Sequence, residues 1–139
     1  MADPIHKART KARKAALDVL FAADLRGLGP LEALAQATDG DVREYTEQLV
    51  RGVAEHLADI DARIASRLSD GWTVPRMPRV DRCLARIAVY EFAYGGVPAQ
   101  VAIEQAVALA GALSTDESPA FLNGLLGGVA AGDGGGPLW

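Results

Sequence analysis

The chain has 139 residues, 50% of them hydrophobic, 23% charged and 6% aromatic, which suits one domain with a real core and excludes a disordered chain. One cysteine rules out an internal disulfide framework, and two histidines fifty positions apart, His6 and His56, leave no zinc-ligand cluster, so no metal or cofactor is expected. The N-terminus, MADPIHKARTKARK, is polar and basic where a signal peptide needs an apolar core, and no apolar run reaches the ~20 residues that span a bilayer, so a cytoplasmic protein with no membrane contact is expected.

In chain order, the first helix is expected over residues 10–26, with Ala12, Ala15, Ala16, Val19, Leu20 and Ala23 on one face and Gly27 and Gly29 ending it. Pro30 suits the first turn of a short second helix. Asp41-Val42-Arg43-Glu44 has capping-box spacing. After it, Tyr45, Leu49, Val53, Leu57, Ile60, Ile64 and Leu68 recur at three- and four-residue steps, as one long helix or as two with a bend near 56–58. Ser69-Asp70-Gly71 closes that stretch, and WTVPRMP reads as a loop. A helix over 79–94 stops at Gly95-Gly96, and Pro98 opens another to about 113. Ser118-Pro119 is a cap and first-turn proline for a last helix to about 131. The final GDGGGPLW, residues 132–139, reads as a flexible tail. The 26 Ala and 16 Leu against 11 Val and 5 Ile favour helix over strand. The fold class is all-α: a compact bundle of six to seven helices in a single domain, 1–131.

Charge placement says more than its sum of −4. Lys7, Arg9, Lys11, Arg13 and Lys14 face only Asp3 in the first fourteen residues, a local excess of +4, so the remaining 125 residues carry −8. Every lysine lies in that arm, and no basic residue follows Arg86. A cationic arm on an acidic body suits an anion tether, and it also suits a merely solvated helix start. On a helix, Lys7, Lys11 and Lys14 form one stripe, with Arg9 and Arg13 flanking the apolar face. Such stripes fit a nucleic-acid backbone.

Enzymatic motifs are absent. Neither histidine has a nucleophile or carboxylate partner in a recognisable motif, and no phosphate-binding glycine motif follows a strand. His56 reads as a partly exposed helix residue, Cys83 as a core thiol and Phe21 as core. Two positions break the apolar pattern. Glu91 falls inside the stripe Val80, Leu84, Ile87 and Tyr94, where a carboxylate is costly without a donor, so it is expected to be a structural polar anchor. Its donor is expected from another segment: a backbone N–H, a Tyr hydroxyl, or an arginine such as Arg51 or Arg76. Asn123-Gly124 costs on the order of 1 kcal/mol inside a helix, which a polar contact by Asn123 or a close helix at Gly124 would offset. Asp81, Arg82 and Arg86 point elsewhere, as a charged docking surface.

The basic start running into ARKAALDVLFAADLRG, then W-x-x-x-R-M-P-R-V-D-R-C-L-A-R-I-A-V-Y-E-F, VPAQVAIEQAVALA and S-T-D-E-S-P-A-F-L-N-G-L-L, together resemble the NusB family of bacterial transcription antitermination factors. The ST-D-[DE]-SP-x-F motif is similar to actinobacterial members. The resemblance covers most of residues 7–130. It implies two packed helical subdomains, about 7–70 and 71–131, and a factor that is not an enzyme. With NusE, a small-subunit ribosomal protein, the family binds boxA RNA of ribosomal RNA transcripts and helps RNA polymerase read through terminators. By this resemblance Lys7, Arg9, Lys11, Arg13 and Lys14 contact RNA, with Glu117, Ser118 and Phe121 near that surface. Asp81 faces NusE, with Arg82, Arg86 and Tyr90 as further candidates. Gly111 stands where the family often has lysine, and Thr10 interrupts the arm, which implies weaker RNA binding alone and more dependence on NusE. Some relatives self-associate, so the resemblance leaves both a monomer and a homodimer open. The rivals are a helical module that binds only protein, and the NusB-like domain of ribosomal RNA cytosine methyltransferases, for which 139 residues leave no room for a catalytic domain.

Overall fold

The computed structural model describes residues 4–37 and 44–132. Seven α-helices and one 3-10 turn account for the described residues, without strands: α1 Pro4–Arg26, α2 Pro30–Ala37, α3 Glu44–Glu55, α4 Leu57–Ala65, α5 Arg79–Ala93, α6 Ala99–Leu113 and α7 Ser118–Gly132. The capping-box residues 41–43 and the expected tail from 133 onward lie outside the described residues.

The boundaries follow local chemistry. At the end of α1, Gly27 takes φ +70°, and the Leu28 N–H returns to the Ala23 carbonyl at 2.8 Å, the six-to-one bond of a Schellman motif. The long apolar stripe is two helices, because the chain breaks at His56 between α3 and α4. Within WTVPRMP, residues Val74–Arg76 wind into a 3-10 turn. Two starts differ from expectation. Helix α1 begins at Pro4, whose ring suits a first helical position, rather than near residue 10. Ser118 is the first residue of α7 rather than its cap: the Phe121 N–H bonds the Glu117 carbonyl at 3.0 Å, while the Ser118 hydroxyl turns inward.

Helix α5 is the axis of the bundle, packed by α1, α3, α4, α6 and α7. Ten of its fifteen residues are buried, so it is enclosed on nearly every side instead of presenting one stripe. Leu49, Val53, Ile60 and Ile64 of the α3–α4 stripe are fully buried with Leu84, Ala85, Val89, Leu122 and Leu126 in one continuous apolar core. Tyr90 packs its ring on Gly52 of α3, where a Cβ would sit inside the ring. No helix among the described residues is long and apolar enough to cross a membrane.

Candidate nucleic-acid interface

The arm is the first turns of α1, and its cations have two different fates. Lys7, Arg9, Lys11 and Lys14 are exposed. Lys14 pairs with Asp18 one turn on, at 2.9 Å, an exposed contact worth little in water. The Arg9 guanidinium lies 4.5 Å from the centre of the Tyr45 ring, held by cation–π attraction near the α3 start.

Arg13, expected among the RNA contacts, is 3% exposed and turned into the core. Its Nε lies 3.0 Å from both Glu91 carboxylate oxygens, and its Nη2 lies 2.9 Å from Oε2. The Tyr45 hydroxyl donates to the same Oε2. Burial, then the bond to Glu91, pushes the Tyr45 phenol up. Glu91 is thus the buried polar anchor its place in the stripe demanded, with a Tyr hydroxyl and an arginine as donors. That arginine is Arg13 rather than Arg51 or Arg76. A guanidinium committed to a buried carboxylate has no face for a phosphate.

The charges of α5 are likewise consumed inside. Asp81, expected at the partner surface, is 1% exposed; it accepts the Ser114 hydroxyl at 2.6 Å and the Ser118 hydroxyl at 2.8 Å. Ser118 is equally buried, and its hydroxyl accepts the Thr115 N–H at 3.2 Å, which fixes the 114–118 loop. Arg82 pairs with Asp24 and donates to the Pro75 carbonyl at 3.0 Å. Burial raises the Asp24 carboxyl, but hydrogen bonds from Arg79 and Arg82 outweigh it and hold the group below its usual range. Arg86 grips Asp61 of α4 through two bonds of 2.8 Å. Tyr90 is 8% exposed on Gly52, its hydroxyl accepting from Gln48 Nε2 at 3.3 Å, which withdraws it from an open partner face. Arg82 and Arg86 line a groove of about 860 Å³ together with α4 and residues 72–75. Cys83 is buried, and burial pushes its thiol up to about 11, as a core thiol requires.

At the N-terminal end of α5, a cavity of about 310 Å³ is lined by Trp72, Pro78, Asp81, Glu117, Ser118 and Phe121. The Trp72 and Phe121 rings are 6.3 Å apart and tilted 41°. Trp72, which the sequence offered only as part of a loop, joins Phe121 at this site; its distance from Phe121 along the chain hid the pairing. Asn123 is exposed and bonds to no described residue, and nothing approaches Gly124 within 4 Å, so neither expected offset for that pair exists. The leucines on either side, Leu122 and Leu125, carry the helix through by burial. His56 is partly exposed at the α3–α4 joint, its ring stacked on Tyr94 at 3.7 Å.

Residues 10–131 match the model of the NusB family. The chain belongs to the NusB family. This NusB-family chain is 52% identical over 126 residues to the transcription antitermination protein NusB of Nocardioides sp., covering 88% of this chain and 93% of that protein. It is 54% identical over 128 residues to the protein of the same name from Acidothermus cellulolyticus, with 89% and 88% covered. Its fold matches T. maritima NusB with a TM-score of 0.76 at 31% identity, over 94% of this chain and 92% of that one. It also matches a chain in a crystal structure of antitermination factors NusB and NusE in complex with dsRNA, with a TM-score of 0.78 at 26% identity, covering 88% and 96%. The NusB family consists of antitermination factors, not enzymes.

Proposed function

We propose that this NusB-family protein binds boxA-like RNA jointly with NusE and so helps RNA polymerase read through terminators in ribosomal RNA operons. The observation that carries the reading is the exposed cationic start of α1: Lys7, Arg9, Lys11 and Lys14 face solvent on a chain of net charge −4. Phosphate contacts from that stripe supply affinity, and the acidic body discourages indiscriminate binding. Phe121 and Glu117, at the cavity beside the α5 start, lie on the same RNA path. The RNA-bound NusB–NusE complex with which the fold aligns supports both partners. NusE takes the groove lined by the Asp24–Arg82 and Asp61–Arg86 pairs. Asp81 serves that contact indirectly, by fixing the 114–118 loop through its serines. The two subdomains, about 7–70 and 71–131, meet along α5, and a homodimer using the same faces would store the protein away from RNA.

The test is titration of a boxA-like RNA at several salt concentrations, with and without NusE. Replacing Lys7, Lys11 and Lys14 together by Ala is expected to weaken binding by well over tenfold at low salt. It should also flatten the salt slope by roughly two to three. Thermal unfolding should hardly move. RNA affinity that survives this triple change returns the arm to a solvated helix start and favours a module that binds only protein.

A further inference from the structure

The cavity at the N-terminal end of α5 has a chemistry unlike the arm. Its walls are the Trp72 and Phe121 rings and Pro78, and its polar rim is acidic, through Glu117 above the buried Asp81. Both oxygens of Asp81 are already taken by Ser114 and Ser118, which leaves the exposed Glu117 as the carboxylate open to a ligand, beside the hydroxyl residues Ser69 and Thr115. An acidic rim repels a phosphate. Two aromatic faces attract a planar ring, and their 41° tilt forms a V in which a ring stacks on one wall and meets the other with its edge. Trp72 is 48% exposed, so part of its ring surface is accessible at the cavity. The Arg76 guanidinium lies over the Trp72 ring, 5.9 Å from its centre.

Helix α6 ties this cavity to the arm. Thr10 of the arm bonds Gln105 of α6 at 3.0 Å, and nine residues on, Ser114, which caps the end of α6, bonds Asp81 under the cavity. That separation is about 14 Å along the helix axis. A single strand whose phosphates follow the arm is therefore within reach of the cavity.

We infer that the Trp72–Phe121 cavity takes one unstacked nucleobase of the bound RNA, and that Glu117 selects a base offering an exocyclic amino group. The inference rests on the RNA-binding reading and adds Trp72 as a base-stacking residue and Glu117 as a specificity residue. Cytosine presents an N4 amino donor to a carboxylate, whereas uracil presents an O4 acceptor at that place, so the two pyrimidines test the edge at equal ring size.

The experiment uses the full chain with Trp139→Phe, which leaves Trp72 as the sole tryptophan, in the presence of NusE. Its probes are single-stranded oligo(C) and oligo(U) of about eight nucleotides. Trp72 fluorescence should be quenched along the same isotherm as anisotropy of the labelled RNA. Trp72→Ala, made in the unaltered chain, should weaken oligo(C) binding by about tenfold with the salt slope unchanged, and Trp72→Phe should restore most of it. Oligo(C) should bind about five- to tenfold tighter than oligo(U), and Glu117→Ala should erase that preference. Arm-dependent RNA binding that leaves Trp72 fluorescence and the Trp72→Ala affinity unmoved overturns the inference and spares the wider reading. Quenching by NusE alone, with no further change on adding RNA, assigns the cavity to a protein side chain and also overturns it. No RNA binding under any condition removes both.

Discussion

Helix α1 holds four of its five arm cations in solvent, whereas α5 spends Asp81, Arg82, Arg86 and Glu91 on partners inside the bundle. About a third of the residues in each helix are charged, and what separates the two in the fate of those charges is enclosure. Helix α1 contributes one face to the core and keeps the other wet. Helix α5 has neighbours all round, so every charge it carries must meet an opposite charge or a donor at the moment of burial. Charged residues on such an axis fix the packing of α1, α4 and the 114–118 loop around it. Free charges belong to the periphery, and ligand binding belongs with them.

The largest break in that comparison is Glu91→Ala. It strands the Arg13 guanidinium in the core, where its Nη1 already lacks a partner, and should cost about 3–5 kcal/mol. Denaturant unfolding reads it, and the Arg13→Ala, Glu91→Ala double variant should lose less than the sum of the single losses. A loss below about 1 kcal/mol would place Glu91 among exposed, replaceable charges.

A smaller effect sharpens the contrast through pH. The Asp24 carboxyl is held low by Arg79 and Arg82 despite the opposing pull of burial. A depressed carboxylate stabilises the fold above its unfolded value, near 3.9, and loses that contribution as pH falls through its folded value. Wild type should therefore exceed Asp24→Asn in Tm by a constant margin above about pH 5, and the margin should close below about pH 4. A margin independent of pH down to 2 would mean that the pairs with Arg79 and Arg82 contribute nothing.

The smallest effect is a gain. Nothing lies within 4 Å of a Cβ built at Gly124, and its backbone is helical, so Gly124→Ala should stabilise the protein by about 0.5–1 kcal/mol. Calorimetry would reveal a loss instead if another helix approached there.

Much of the architecture was legible because periodicity reports which face of a helix is buried. The enclosure of Glu91 and the terminations at Gly27 and Gly95-Gly96 follow from local spacing, whereas the α3–α4 stripe fitted one helix or two and left the break at His56 open. Partners were not legible, because periodicity carries no information about which residue lies opposite. Arg13 meets Glu91 across 78 positions, and Asp81 meets Ser118 across 37. Both were placed on binding surfaces by their charge, and both are buried by their neighbours. Trp72 was passed over for the opposite reason: it sits in an aperiodic segment, and its pairing with Phe121 of α7 exists only in the folded chain.

The division of the arm into one buried and four exposed cations is tested most directly by RNA titration in rising salt, comparing Lys11→Ala with Arg13→Met. Met keeps much of the buried aliphatic stem and removes the charge. Lys11→Ala should lower the salt slope by about one with an unchanged Tm. Arg13→Met should leave the slope of the folded protein unchanged and depress Tm by several degrees. An Arg13→Met protein with wild-type Tm and a slope lowered by one would contradict the account.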